Sequence, residues 1–235
     1  MEPPPKLSLI IPLYNEQKRV KKGLTQIKKF LQTQNFSWEI IVIDDGSTDS
    51  TSWFVKTFLD QNTHLIRTAQ NFGKGHAIRL GVEVAEGNYI NFSDIDLSVP
   101  INFTEEILRE LKTADLAVGS RRLSESQVKK HQNKLRESLG HRFTQLSNFI
   151  LNLDLTDHTC GFKGFKSSVA KRLFSLQKIN RWAFDSEILF LAKKLNFKVK
   201  EIPVTWRNDS HTKVNLLSDV FSSFISLLSI RTNRY

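Results

Sequence analysis

The 235-residue chain is 40% hydrophobic and 25% charged, enough apolar material for one large core. Its formal net charge of +10 predicts an anionic partner: nucleotide phosphates, a lipid headgroup, a membrane surface or nucleic acid. A single cysteine, Cys160, excludes an internal disulfide and favours a reducing compartment, and no apolar run reaches the roughly 20 residues of a membrane span.

Residues 1–6 carry no apolar signal segment, so a soluble or peripheral protein is expected. Residues 7–12 read as a first buried strand, stopped by Pro12. Apolar residues at Val20, Leu24, Ile27 and Leu31 predict a helix over 16–34 with lysines on its far face. Residues 38–43 form a second strand that enters Asp44-Asp45-Gly46-Ser47-Thr48-Asp49, and a helix capped by Ser47 or Asp49 follows. Residues 64–67 read as a third strand, 74–85 as a helix, 88–93 as a strand, 101–111 as a helix and 116–118 as a fifth strand. This alternation predicts right-handed βαβ units and a mostly parallel sheet.

The second half alternates less cleanly. Residues 121–136 are basic and aperiodic and read as a mobile loop. Residues 139–151 are helical, 157–165 turn and strand, 168–174 a short helix and 184–195 an amphipathic one. Residues 199–206 alternate like a strand, and Pro203 predicts an edge position. Residues 216–230 are too short to span a bilayer but suit its surface, as a helix with Leu217, Phe221, Phe224 and Leu228 near one face. No linker divides the chain, so a single domain over 1–235 is expected.

In an open α/β sheet, ligands bind beyond the carboxyl ends of the strands. Four features fall there: Pro12-Leu13-Tyr14-Asn15-Glu16, Asp44-Asp45-Gly46-Ser47, Asn71-Phe72-Gly73-Lys74-Gly75, and Asp94-Ile95-Asp96. Side chains at i and i+2 of an extended chain point to one side, which aims Asp94 and Asp96 together. Converging carboxylates repel unless a cation lies between them. A hard divalent ion such as Mg²⁺, held by one or two carboxylates plus substrate phosphates, meets that need. The Gly-Lys-Gly turn at a helix start suits a phosphate. Neither GxxxxGK[ST] nor GxGxxG is present, which argues against a Walker A loop and a dinucleotide fingerprint. Each motif alone is also ordinary turn chemistry; four at one sheet edge are hard to explain that way. His76, His131, His141, His158 and His211 lack metal-ligand spacing. Cys160 reads as a packed thiol, and Trp53, Trp182 and Trp206 as core or interface aromatics.

Taken in order, the motifs are specific. They run through Ile11-Pro-Leu-Tyr-Asn-Glu16, Val42-Ile-Asp-Asp-Gly-Ser-Thr-Asp49, Asn71-Phe-Gly-Lys-Gly-His-Ala77 and Asp94-Ile-Asp-Leu-Ser-Val-Pro100. Gly119-Ser-Arg121, Asp157-His-Thr-Cys-Gly-Phe-Lys163 and Trp182-Ala-Phe-Asp-Ser-Glu187 follow. Over residues 7–217 the chain resembles inverting family 2 glycosyltransferases of the GT-A fold. It is most similar to the dolichyl-phosphate glucose and mannose synthases and their bacterial polyprenyl-phosphate relatives, the glucose type above all.

The resemblance implies an α/β fold with a mostly parallel central sheet flanked by helices. Residues 1–120 would form a nucleotide-sugar-binding half and 121–235 an acceptor half. It implies that Pro12, Tyr14 and Glu16 frame a nucleoside, that Asp45 binds the base through its N3–H, and that Asp44 supports the turn. Lys74 would approach the nucleotide or its phosphates, Asp94 and Asp96 would bind Mg or Mn and the diphosphate, and Lys213 would close over it. Arg121 and Arg136 would meet the phosphate of a polyprenyl or dolichyl acceptor, with Asp185 and Glu187 on the acceptor side. The donor implied is a nucleotide diphosphate sugar, UDP-glucose rather than GDP-mannose. The expected location is the cytoplasm, peripheral at the membrane face, alone or through a separate membrane-protein partner. Two competing readings fit the same residues: a transferase for a soluble glycan acceptor, and a non-catalytic binder of nucleotide sugars or nucleic acid. The basic residues are not interleaved with stacking aromatics, which argues against nucleic acid.

Overall fold

The protein's structure, a computed structural model, describes residues 6–209 and 216–235, with backbone alone for residues 134–136, 216–221, 223 and 224. The first half alternates β1 (Leu7–Leu13), α1 (Val20–Leu31), β2 (Trp38–Asp44), α2 (Thr51–Lys56), β3 (Thr63–Arg67), α3 (Lys74–Val84), β4 (Tyr89–Ser93), α4 (Phe103–Glu110) and β5 (Leu116–Ser120). The second half adds β6 (Gln127–Lys130), α5 (Lys134–Leu151), β7 (Phe162–Lys166), α6 (Ser167–Leu176), α7 (Phe184–Lys194), β8 (Val199–Pro203), β9 (Thr205–Arg207) and α8 (Leu216–Thr232).

Seven strands form one sheet in the order β3-β2-β1-β4-β7-β5-β8. β1 runs parallel to β2 and β4, β2 to β3, and β5 to β8. β7 alone is antiparallel, to β4 on one side and β5 on the other. Helices cover both faces, so the strands read as near-continuous apolar runs. Along β1, Leu9 and Ile11 enter the core beneath α1 and α4, while Ile10 enters the core beneath α3, α6 and α7. The predicted parallel α/β architecture holds, and β8 with Pro203 is indeed an edge strand, paired within the sheet to β5 alone.

Local differences have physical causes. The first helix begins at Val20 rather than residue 16. Asn15 sits at φ +51°, and Asn15 and Glu16 donate their N–H groups to Ser47 and Thr51, which holds residues 15–19 in a turn. Residues 121–136 are not a loop throughout. Four of them form β6, paired in parallel with β9, and α5 starts at Lys134 rather than residue 139. β6 is mostly exposed, with Val128 its one partly buried apolar residue, so no alternation betrayed it. In α8 the described side chains split: Leu227 and Ile230 are buried in the core, while Ile225 and Leu228 face outward. The predicted apolar face through Leu217, Phe221 and Phe224 falls on side chains outside those described. Among the described residues no helix is long and apolar enough to cross a membrane.

Candidate active site

A cavity of about 750 Å³ opens beyond the carboxyl ends of β1, β2 and β4. All four predicted loop motifs reach it. Pro12, Tyr14, Glu16, Asp45, Lys74, Asp94, Asp96, Arg121 and Asp185 line its wall. Asp44 and Glu187 do not. Lys213 and the side chain of Arg136 lie outside the described residues.

The β2 loop shows why two adjacent aspartates do different work. Asp44 is fully buried; it accepts the Ser47 N–H at 2.9 Å and the Ser52 hydroxyl, and Arg67 lies 3.5 Å away. It supports the turn. Asp45 faces the cavity. Its Oδ1 accepts from Phe72 N–H at 3.1 Å and Thr68 Oγ1 at 3.2 Å, and its Oδ2 accepts from Gly73 N–H at 2.7 Å. These bonds lock the Asn71–Gly75 loop to the β2 loop. Gly73, at φ +112°, leads into α3; a Cβ there would meet Asn180 O at 2.6 Å.

Asp94 and Asp96 both reach the cavity, although not through an extended chain. β4 ends at Ser93, and Leu97 N–H closes a turn on Asp94 C=O at 3.1 Å. Leu97 takes φ +50°, a strained value for a leucine. Asp94 Oδ1 lies 2.5 Å from Lys74 Nζ. Asp96 Oδ1 accepts Ser98 N–H at 2.9 Å, and its Oδ2 lies 3.8 Å from Arg19. Burial first, and then the charge of Asp94, push the Asp96 carboxyl above the usual aspartate range. Among the described residues no group of three or more His, Cys, Asp or Glu is arranged to hold a metal. The carboxylate pair is nevertheless a fitting half-site for Mg²⁺ or Mn²⁺, hard oxygen donors in mutual repulsion, with donor phosphates to complete the shell.

Arg121 is engaged more deeply than its sequence suggested. Its Nε and Nη2 bind the two oxygens of buried Asp157 at 2.6 and 2.8 Å, and Nη2 also donates to Thr159 Oγ1 at 2.9 Å. The guanidinium lies 5.4 Å from the Trp206 ring centroid. The pair holds Asp157 well below the ordinary carboxylate range. Asp185 is bound by Lys163, a fully buried lysine, at 2.5 Å, and Lys163 also donates to Cys160 O at 2.6 Å. Burial pushes the Asp185 carboxyl upward; Lys163 and Lys74 oppose it. Cys160 is a packed thiol, as expected, pushed up to about 12 by burial and by Asp157. Glu187, expected near the acceptor, is instead a structural anchor. It accepts the N–H groups of Lys178 and Ile179 at 2.9 Å each and the Tyr235 hydroxyl at 2.6 Å. Of the tryptophans, Trp206 is buried, Trp53 is 62% exposed, and Trp182 stands half-exposed on the cavity wall rather than in the core.

Four further residues matter. Arg19 binds Glu16 through two nitrogens at 2.7 Å and lies 3.3 Å from Asp209 and 3.8 Å from Asp96, tying three segments of the cavity rim together. Arg122 and Arg181 add cations to the wall. Gly161 faces the carboxylates: a Cβ there would lie 1.9 Å from Asp94 Oδ2. Gly161→Ala is therefore expected to displace Asp94 and cut turnover by at least tenfold, roughly the cost of a small misplacement at a reacting centre. The circular dichroism spectrum should stay native. Full turnover in that variant would mean that Asp94 tolerates displacement.

Residues 8–174 match the family described as Glycosyl transferase family 2. The chain is 36% identical over 236 residues to the dolichyl-phosphate beta-glucosyltransferase of Dictyostelium discoideum, covering 94% of this chain and 71% of that protein. It is 30% identical to the Homo sapiens protein of the same name, covering 90% of this chain and 70% of that one. Glucosyl-3-phosphoglycerate synthase of Mycobacterium tuberculosis, crystallised with Mg²⁺ and UDP, shares the GT-A fold. The TM-score is 0.71 at 17% identity, over 98% of this chain and 81% of that one. The match begins in β1 and runs into α6, taking in the loops that carry Asp45, Lys74, Asp94 and Asp96, and this chain belongs to glycosyl transferase family 2.

Proposed function

We propose that this enzyme transfers glucose, with inversion, from UDP-glucose to a dolichyl or other polyprenyl phosphate, assisted by Mg²⁺ or Mn²⁺. The observation that carries the reading is one cavity lined both by the carboxylates Asp94 and Asp96 with Lys74 and by the arginines Arg121, Arg122 and Arg181. The names of the relatives, dolichyl-phosphate beta-glucosyltransferases, support the same acceptor and sugar.

At the donor end, Pro12, Tyr14 and Glu16 frame the nucleoside. Asp45 is held rigid by three protein donors, and Oδ2 keeps a lone pair for the N3–H of uracil. Lys74, with Lys213, meets the diphosphate. Asp94 and Asp96 hold the metal, which when bound offsets the charge that builds on the departing diphosphate. At the acceptor end, a lipid phosphate is already ionised near neutral pH, so positioning replaces a strong general base. Arginine suits that task because its planar fork matches phosphate oxygens. Arg121 keeps Nη1 for this role while Asp157 fixes the rest of the group; Arg122 and Arg136 share it, with Asp185 on the acceptor side.

The enzyme works at a membrane surface. Phe149 on α5 and Ile225 and Leu228 on α8 are exposed, and the two helices pack together. Such apolar residues, with the net charge of +10, favour an anionic bilayer.

The test is transfer from UDP-glucose to a short polyprenyl phosphate, run beside the free alcohol and beside GDP-mannose. Transfer to the phosphate and none to the alcohol is expected, with UDP-glucose the better donor. Co-sedimentation should require anionic vesicles and weaken with salt, since screening shortens the field to about 8 Å at physiological strength. Preference for a soluble sugar acceptor, with no vesicle binding, would replace the lipid reading.

A further inference from the structure

Asp94 and Asp96 already have cations of the protein's own nearby. Lys74 Nζ sits 2.5 Å from Asp94 Oδ1, and only 15% of the Lys74 side chain is exposed. Gly161 backs the pair: a Cβ there would lie 1.9 Å from Asp94 Oδ2 and 3.1 Å from Lys74 Nζ. Asp96 is tethered separately, to Ser98 N–H and toward Arg19.

A Mg²⁺ ion binds oxygen at about 2.0–2.1 Å. An ammonium at hydrogen-bond distance from the same oxygen would then repel it at close range, in a partly desolvated site. We infer that Lys74 competes with the metal for Asp94, and that an incoming diphosphate relieves the competition by drawing Lys74 onto its own oxygens. This rests on the donor being a nucleotide diphosphate. The consequence is positive coupling: the metal binds weakly alone and tightly with the nucleotide, and the nucleotide gains from the metal by the same factor. Lys74 is thus a switch that assembles the metal site only around a donor.

The test measures Mn²⁺ binding by electron paramagnetic resonance, with no sugar transfer involved. Mn²⁺ is titrated alone, with UDP and with inorganic diphosphate, into wild type, Lys74→Met, Lys74→Arg and the double variant Lys74→Met/Asp94→Asn. Lys74→Met is expected to bind Mn²⁺ alone about tenfold more tightly than wild type, within the usual range of coupling between sites. Its gain in Mn²⁺ affinity on adding UDP should shrink accordingly. Lys74→Arg, which keeps the cation, should stay near wild type, and the double variant should lose the gain. Circular dichroism checks the fold of each, and Lys74→Gln stands in if Lys74→Met misfolds. Equal Mn²⁺ affinity in wild type and the neutral variant overturns the inference, as does binding detected in neither. If UDP fails to bind wild type, the nucleotide reading falls instead, and the titrations with Mn²⁺ alone still decide the competition.

Discussion

Asp96→Ala is expected to lower transfer on the order of 10³-fold, the usual loss when a group that stabilises developing charge is removed. The melting temperature should hold or rise slightly. Asp96 lies in the turn after β4, not in the core, and its folded-state carboxyl is pushed upward by burial and by Asp94. An acid with a raised pKa is uncomfortable as a carboxylate, so its removal relieves the fold while it disables the site. Metal-dependent nucleotide binding should fall with the rate, and excess chelator should silence the wild type to a similar degree. Turnover by Asp96→Ala near the wild-type rate, or a chelator-resistant wild type, would end the metal assignment.

Arg121→Ala should act on stability as much as on catalysis. It strands the Asp157 carboxylate, which has no exposed surface, beside the thiol of Cys160. Breaking a buried pair from one side costs about 3–5 kcal/mol. The pH dependence carries a sign that separates this from a lost phosphate contact. In the wild type, Asp157 is depressed from its ordinary value of 3.8, so its contribution is full above that pH and disappears as pH falls toward the folded value. Buried His158 titrates near 4 instead of 6.5, and adds a loss that begins as pH falls through 6.5. Both make the wild type acid-labile. Without Arg121, burial dominates Asp157 and raises its carboxyl. That group then costs stability as pH rises, so the deficit against wild type should narrow in mild acid. Urea unfolding across the pH range measures it. A uniform deficit, or none, would mean that the Asp157 pair does not hold this wall.

The loops that carry Asp45, Lys74, Asp94 and Asp96 were legible because they follow strand ends in sequence. The runs after β1, β2, β3 and β4 each announced a loop at the same sheet edge, and the structure brings them to one cavity. Asp44 and Asp45 even divide as expected, one inside the turn and one facing out. Residues that act through distant partners were not legible. Arg19 reads as one more basic residue at a helix start until Asp96 and Asp209 are seen beside it. Lys163 gave no sign that a lysine inside an apolar strand is matched by Asp185, 22 residues on. Glu187 shares a motif with Asp185, yet α7 turns it away from the cavity onto the backbone of Lys178 and Ile179. The β6–β9 pairing escaped for another reason: a short exposed strand has no apolar period to read.

The antiparallel strand in the middle of the sheet bears on how the chain reaches this form. β4 and β5 are not neighbours; each hydrogen-bonds to β7 between them. The ribosome delivers both long before residue 162, so for that interval each can offer an unpaired ladder edge. The pairing that joins the two parallel blocks spans about seventy residues from β4, from Ser93↔Phe162 to Tyr89↔Lys166, a long loop to close and a slow step by topology. Exposed edges in a partly folded chain invite pairing with other chains. The strand that carries Lys163 thus arrives last at the seam, and its timing decides whether the nascent chain pairs with itself or with its neighbours.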